Sequence, residues 1–168
     1  MAAPTPDFLS ILETLSEYKV DFIIVGGVCG VLHGAPVTTF DLDIVHSRTQ
    51  ENLARLLPAL KELEAYYRGR QDQRLEPDLD HLSSPGHQLL MTRSGPLDLL
   101  GTIGSGHSYK DLREHSEDMK AGNLRLRVLS LEKLIKVKEE TGFEKDKAIL
   151  PVLRQTLSEK RKRGEQKK

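Results

Sequence analysis

Val20-Asp21-Phe22-Ile23-Ile24-Val25 runs directly into Gly26-Gly27, and after a short connection comes Phe40-Asp41-Leu42-Asp43-Ile44-Val45. The first run is β-branched and aromatic, which describes a buried strand stopped by a flexible turn. Val28 to His33 suits a short helix closed by Gly34. From Ala35 to Phe40 the chain only connects, because Pro36 breaks any continuing helix. The second run is another strand. Side chains two apart in a strand share a face, so Asp41 and Asp43 project together while Leu42 faces the core.

Two carboxylates held that close repel, and burying either is costly unless a cation compensates. Oxygen-only ligation of this kind suits Mg²⁺ or Mn²⁺ completed by water and phosphate oxygens. A third acid, Asp98, sits within Leu97-Asp98-Leu99-Leu100. An aspartate among strand leucines either faces solvent at an edge or is held for chemistry. If its strand neighbours the one bearing Asp41, the three acids converge as two metal ions require to activate a hydroxyl and neutralise a leaving phosphate. Gly26 and Gly27 let a phosphate approach the backbone, and the helix beyond them offers unpaired N–H groups. Taken singly these features are ordinary; a glycine pair after a strand is usually only a turn. Their order is what favours a site.

Outward from this centre, Phe8, Ile11, Leu12 and Leu15 fall at helical spacing after Asp7, a suitable cap. Glu51 to Leu63 is amphipathic, with Leu53, Leu56, Leu57 and Leu60 on its inner face. Arg68 to Gly86 is polar and reads as a loop. His87–Thr92 and 96–102 read as strands joined by a turn at Ser94-Gly95. Gly101, Gly104 and Gly106 mark an irregular segment, and 109–115 a short helix. Leu124 to Leu129 alternates as a half-exposed strand does. Ser130 caps a helix through Lys138 that Gly142 ends, and a last helix spans 145–160 with Pro151 at a kink or at its start.

The 168 residues are 38% hydrophobic and 30% charged with zero formal net charge, a globular composition that points to no particular partner. Aromatics at 5% and no Trp argue against a base-stacking platform. The single cysteine, Cys29, excludes an internal disulfide and a cysteine-rich zinc site and reads as a small core residue. No signal peptide and no membrane helix are expected, so the location expected is cytoplasmic.

The run Val25-Gly26-Gly27-Val28-Cys29-Gly30-Val31-Leu32-His33-Gly34, with Thr39-Phe40-Asp41-Leu42-Asp43-Ile44, resembles the nucleotidyltransferase superfamily typified by DNA polymerase beta. Within it, the chain is similar to the AbiEii toxin-like bacterial group. Leu131 to Lys138 and Gly142-Phe143-Glu144-Lys145-Asp146 resemble that group's C-terminal lysine and Lys-Asp motif. The resemblance implies an α/β (α+β) nucleotidyltransferase fold, with a short twisted mixed sheet flanked by helices and C-terminal helices. It implies transfer of a nucleoside monophosphate from an NTP to a hydroxyl acceptor: an RNA end, a protein or a small molecule. Asp41, Asp43 and Asp98 are the implied catalytic and metal-binding residues, with two ions. Gly26, Gly27, Thr39 and Lys138 would bind the NTP, and Asp146 would support the site. Core residues 1–129, a helical segment 130–160 packed on it and a basic disordered tail 161–168 are the expected divisions.

Three positions depart from that pattern. Val28 follows the glycines where Ser or Thr is frequent, Val37 lies in a stretch where an Arg is frequent, and Phe143 replaces an Arg before Lys-Asp. They motivate a rival reading, a catalytically degenerate nucleotide- or partner-binding module, or a member of a toxin–antitoxin pair with an antitoxin partner. Elsewhere, His33 reads as a helix cap, His46 as an exposed loop residue and His107 as remote from substrate. Arg68, Arg70, Arg74 and Arg93 could line an acceptor groove, solvated surface being preferred for most of them.

Overall fold

The computed structural model describes residues 6–69 and 73–166. Helix α1 (Phe8–Glu17) starts at Asp7, whose carboxylate accepts from the Ser10 amide at 3.1 Å, and it buries Ile11, Leu12 and Leu15. Strand β1 (Phe22–Val25) is buried at all four residues, as a strand covered on both faces must be. Helix α2 (Gly26–Leu32) begins at the first glycine rather than at Val28. Strand β2 (Leu42–His46) leads to helix α3 (Gln50–Glu62), capped by the Thr49 hydroxyl and burying Leu53, Leu56 and Leu60. Then come β3 (Tyr66–Tyr67), α4 (Leu79–Ser83), β4 (His87–Thr92) and β5 (Gly95–Leu100). A small hairpin, β6 (Thr102–Ile103) and β7 (His107–Ser108), precedes α5 (Tyr109–Leu112) and a 3₁₀ turn. The chain closes with β8 (Ser116–Ala121), β9 (Leu124–Leu129), α6 (Leu131–Thr141) and α7 (Glu144–Gln166).

Among the described residues, seven strands form one mixed sheet in the order β3-β4-β5-β2-β1-β9-β8. β2 is central: it runs antiparallel to β1 and parallel to β5. Helices α1 and α3 pack on each other, and α2 and α7 both pack on α6. Ser130 caps α6 through the Lys133 amide, and Gly142 ends it in a left-handed conformation, as expected from the sequence. Helix α7 starts at Glu144, carries Pro151 within it and continues past Lys160 through the basic segment to Gln166.

Several expectations are corrected. β2 begins at Leu42, not Phe40, because β1 ends at Val25 opposite Asp43 and offers no partner to Asp41. The polar stretch 68–86 holds α4, which buries Leu82 completely. The glycine-rich segment after β5 is paired as β6 and β7. β8 went unforeseen: Ser-Glu-Asp-Met-Lys-Ala has no apolar alternation, since it is an edge strand whose side chains are largely wet. Among the described residues, no helix is long and apolar enough to cross a membrane.

Candidate active site

The site forms where β2, β5 and the turn after β1 meet. In the parallel pairing of β2 with β5, Asp43 lies opposite Asp98. Asp98 is only 8% exposed. Burial pushes the Asp43 carboxyl up to about 7, helped by the charge of Asp98, a hydrogen bond between the two acids and the charge of Asp41; Lys138 opposes the rise. Two partly desolvated carboxyls in contact cannot both ionise cheaply, so they share a proton or recruit a cation.

Arg68 supplies part of that cation. Its Nη1 lies 2.7 Å from Asp98 Oδ1, but the guanidinium directs its hydrogen bond at the Leu90 carbonyl, 2.6 Å away. Asp98 Oδ1 therefore has a positive neighbour and no aligned hydrogen bond. A buried carboxylate oxygen in that state, beside a second carboxyl, is the donor set a divalent ion fits. Asp41 stands just before β2 and acts on Asp43 by charge. Among the described residues, no three His, Cys, Asp or Glu side chains are gathered tightly enough to hold an ion between them.

A cavity of about 360 Å³ opens beside the acids. Gly26, Gly27, Thr38, Thr39, Phe40, Asp41 and Asp43 line one side; Leu134, Lys138, Lys145, Asp146, Ile149 and Leu153 line the other. The glycines are required by contact. Gly26 has φ +68°, and a Cβ there would run into the Asp43 carboxylate. A Cβ on Gly27 would sit 2.6 Å from the Thr39 hydroxyl. That hydroxyl donates to the Asp41 carbonyl at 3.0 Å, closing the turn that presents Asp41.

Across the cavity, Lys138 on α6 meets Asp146 on α7, with Nζ 3.2 Å from Oδ1. The Thr141 hydroxyl donates to the other Asp146 oxygen, so the α6–α7 junction is held by one carboxylate. Seven of the eight site residues expected from the sequence thus line this cavity: Gly26, Gly27, Thr39, Asp41, Asp43, Lys138 and Asp146. Asp98 lies outside the lining and joins the site through its pairing with Asp43.

Sequence reasoning left Lys145 without a role, although its place beside Asp146 was the available signal. Arg68, one of four arginines open to an acceptor-groove or a surface reading, stands against Asp98; no local pattern could show that the chain after β3 returns to β5. Arg70 lies outside the described residues, and Arg74 packs over the Tyr66 ring, 4.6 Å from its centre. His46, expected to be exposed, is fully buried at the end of β2 away from Asp43 and hydrogen-bonds the Leu82 carbonyl at 2.8 Å. His33 is buried as well. Its Nδ1 accepts from Lys160 at 2.7 Å, which leaves Nε2 to donate to the Leu129 carbonyl at 2.8 Å. Burial lowers the proton affinity of both imidazoles. Cys29 is a core residue as expected, its thiol pushed up to about 12 chiefly by burial.

No family model and no curated protein sequence matches the chain. Solved structures do. A lincosamide antibiotic adenylyltransferase, LnuA, solved with lincomycin bound, superposes with a TM-score of 0.58 at 13% identity, over 88% of this chain and 94% of that one. A candidate nucleotidyltransferase from Thermotoga maritima gives 0.55 at 19% identity, over 90% and 91%. ANT(2")-Ia in complex with adenylyl-2"-tobramycin gives 0.55 at 17% identity, over 91% and 89%. The chain has the nucleotidyltransferase fold.

Proposed function

We propose that the protein is a metal-dependent nucleotidyltransferase, moving a nucleoside monophosphate from an NTP to a hydroxyl acceptor. The observation that carries this is the in-register pairing of Asp43 with Asp98 beside a cavity walled by Gly27, Thr39 and Lys138. The triphosphate lies beside Gly26 and Gly27, which line the cavity and whose missing side chains let Asp43 and Thr39 close against the turn. The Thr39 hydroxyl and the Lys138 ammonium flank it, the lysine acting as a point charge on phosphate oxygens. Asp41, Asp43 and Asp98 would hold one or two Mg²⁺ or Mn²⁺ ions, which supply electrostatic stabilisation of charge on the transferring phosphoryl group.

The acceptor oxygen bonds to the α-phosphorus as the bond from that phosphorus to the α,β-bridging oxygen breaks. The bridging oxygen keeps the electron pair and leaves within pyrophosphate. The hydroxyl proton passes to a carboxylate oxygen of the Asp43–Asp98 pair that the ions leave free. Phosphoryl chemistry of this kind asks the protein mainly for position and charge, which is what these residues provide. Titration calorimetry of magnesium and each NTP against the protein and against an Asp41→Ala/Asp43→Ala form tests the reading. Heat from the first and silence from the second is the expected result; equal silence from both contradicts it.

A second reading, a binding module that has lost turnover, is favoured by Arg68, which already places a positive charge against Asp98. Val28, Val37 and Phe143 agree with it. Nucleotide binding without pyrophosphate release would select it. The AbiEii-like assignment, and with it a toxin–antitoxin role, is carried by the Gly26-Gly27, Asp41-Leu42-Asp43 and Lys145-Asp146 motifs. Growth arrest on expression, abolished by Asp43→Asn, would support it.

A further inference from the structure

A second cavity, about 210 Å³, adjoins the first and shares Gly26, Asp43, Lys138 and Asp146 with it. Its remaining walls differ in chemistry. Leu100, Ile103 and Val137, all less than a tenth exposed, form much of them beside His87 and Thr141, and Phe143 stands at 68% exposure with its ring free to cover an occupant. The wall carrying Ile103 is held in place: the β6–β7 hairpin is pinned to α6 by His107 Nε2, 2.9 Å from Glu140 Oε2.

The polar side chains bordering this cavity, among the described residues, are already engaged. Lys138 is paired with Asp146. The Thr141 hydroxyl donates to that same carboxylate, and the His87 ring lies 3.0 Å from the Thr102 carbonyl. Asp43 faces both cavities with no basic side chain paired to it among the described residues; its neighbour in the ladder is the acid Asp98. An occupant therefore meets a mainly apolar wall, polar groups that are already engaged, and one acid that also borders the nucleotide cavity.

We infer that this second cavity is the acceptor site, and that the acceptor is a small, uncharged, largely apolar alcohol or phenol whose hydroxyl is directed at Asp43. The inference rests on the nucleotidyl-transfer reading and narrows it. A polycationic acceptor would need several free carboxylates around it, and an RNA end would need free cations and a longer groove; the lining offers neither. Phe143, where a charged side chain would discourage such a molecule, becomes the specificity-determining residue.

Methyl-resolved NMR on the whole protein tests this with four probes: 2-phenylethanol, the polycationic amino sugar kanamycin, the dinucleotide uridylyl-uridine, and magnesium–ATP. We expect 2-phenylethanol to shift the methyls of Leu100, Ile103 and Val137 in a saturable way. Phe143→Ala, at an exposed position and so without consequence for folding, weakens that binding roughly tenfold by removing a ring contact. Kanamycin and uridylyl-uridine leave these methyls in place. Silence toward 2-phenylethanol, or a response to kanamycin or the dinucleotide in its stead, overturns the inference. So does an affinity unchanged by Phe143→Ala. Magnesium–ATP is read separately at Ile149 and Leu153 in the first cavity. No shift there contradicts the nucleotide reading, and with it the acceptor assignment, even if the alcohol binds. A shift there with a silent alcohol overturns the acceptor inference alone.

Discussion

Asp43 on β2 and Asp98 on β5 stand opposite each other in a parallel pairing, two partly buried acids in one register position of a central sheet. Neighbouring pairs in that ladder are Leu42 with Leu97 and Ile44 with Leu99, fully buried and apolar. The acids therefore occupy strand positions flanked by core leucines and isoleucine, and their cost is set against packing that fixes where they point. A pair so placed favours whichever species relieves its repulsion, a proton or a cation. Stability, metal binding and chemistry are linked through that choice.

The first consequence concerns pH. The folded Asp43 carboxyl is raised from its ordinary value to about 7, so between those values the native state binds protons that the unfolded chain has lost. Stability from this group is fully present below the ordinary carboxylate range and falls as pH rises toward 7. Asp43→Asn removes the effect. In urea denaturation without metal, the variant should exceed the parent by roughly 1–3 kcal/mol at pH 8, with the advantage shrinking toward pH 4. An advantage independent of pH contradicts the assignment.

Cation relief is the complementary test. Magnesium at pH 8 should raise the melting temperature of the parent protein, because only the native state gathers the acids. The Asp43→Asn and Asp98→Asn variants should show no such rise. Arg68→Met should lose roughly 1–3 kcal/mol in metal-free buffer by leaving Asp98 without its cation, and magnesium should restore most of it. If magnesium leaves Arg68→Met as unstable as before, the guanidinium is holding the Leu90 carbonyl and not balancing the acids.

The glycine turn makes a steric prediction. Gly26→Ala must force a side chain into a left-handed backbone and into the Asp43 carboxylate, at a cost of about 1–3 kcal/mol. Gly27→Ala meets the Thr39 hydroxyl instead. Gly27→Ala/Thr39→Ser keeps that hydroxyl and removes only a methyl, so it should remain as crowded as Gly27→Ala. Gly27→Ala/Thr39→Gly relieves the clash but gives up the bond to the Asp41 carbonyl, so it should recover only part of the stability and still bind NTP poorly. Thermal melts and nucleotide titrations separate the two effects.

Lys138 joins cavity and fold. Lys138→Met should weaken NTP binding by about tenfold to a hundredfold through loss of one charge-assisted contact. The Thr141–Asp146 hydrogen bond survives, so α7 should stay docked. A melting temperature that collapses along with binding would show that Lys138 serves the α6–α7 junction and not the ligand.

Where the sequence was legible, a short-range rule was at work. The strand before Gly26, the Ser130 cap, the Gly142 stop and the inner face of α3 each follow from local spacing. The acids were legible because carboxylates amid strand leucines are conspicuous. What escaped depends on pairing partners distant in the chain. β8 is held by β9 and carries no apolar code of its own. Arg68 reaches Asp98 only because β3 joins the sheet through β4, and Asp41 left the strand because β1 stopped opposite Asp43. His46 looked exposed from its polar neighbours, while α4 folds over it.

A crystal soaked with magnesium and a non-hydrolysable NTP decides whether three acids and a glycine turn share one nucleotide. The triphosphate should lie along Gly26, Gly27 and Thr39 within reach of Lys138, with at least one metal ion joining Asp43 and Asp98 to a phosphate oxygen. A nucleotide bound elsewhere, or bound here with no ion between the carboxylates and the phosphate, would contradict it.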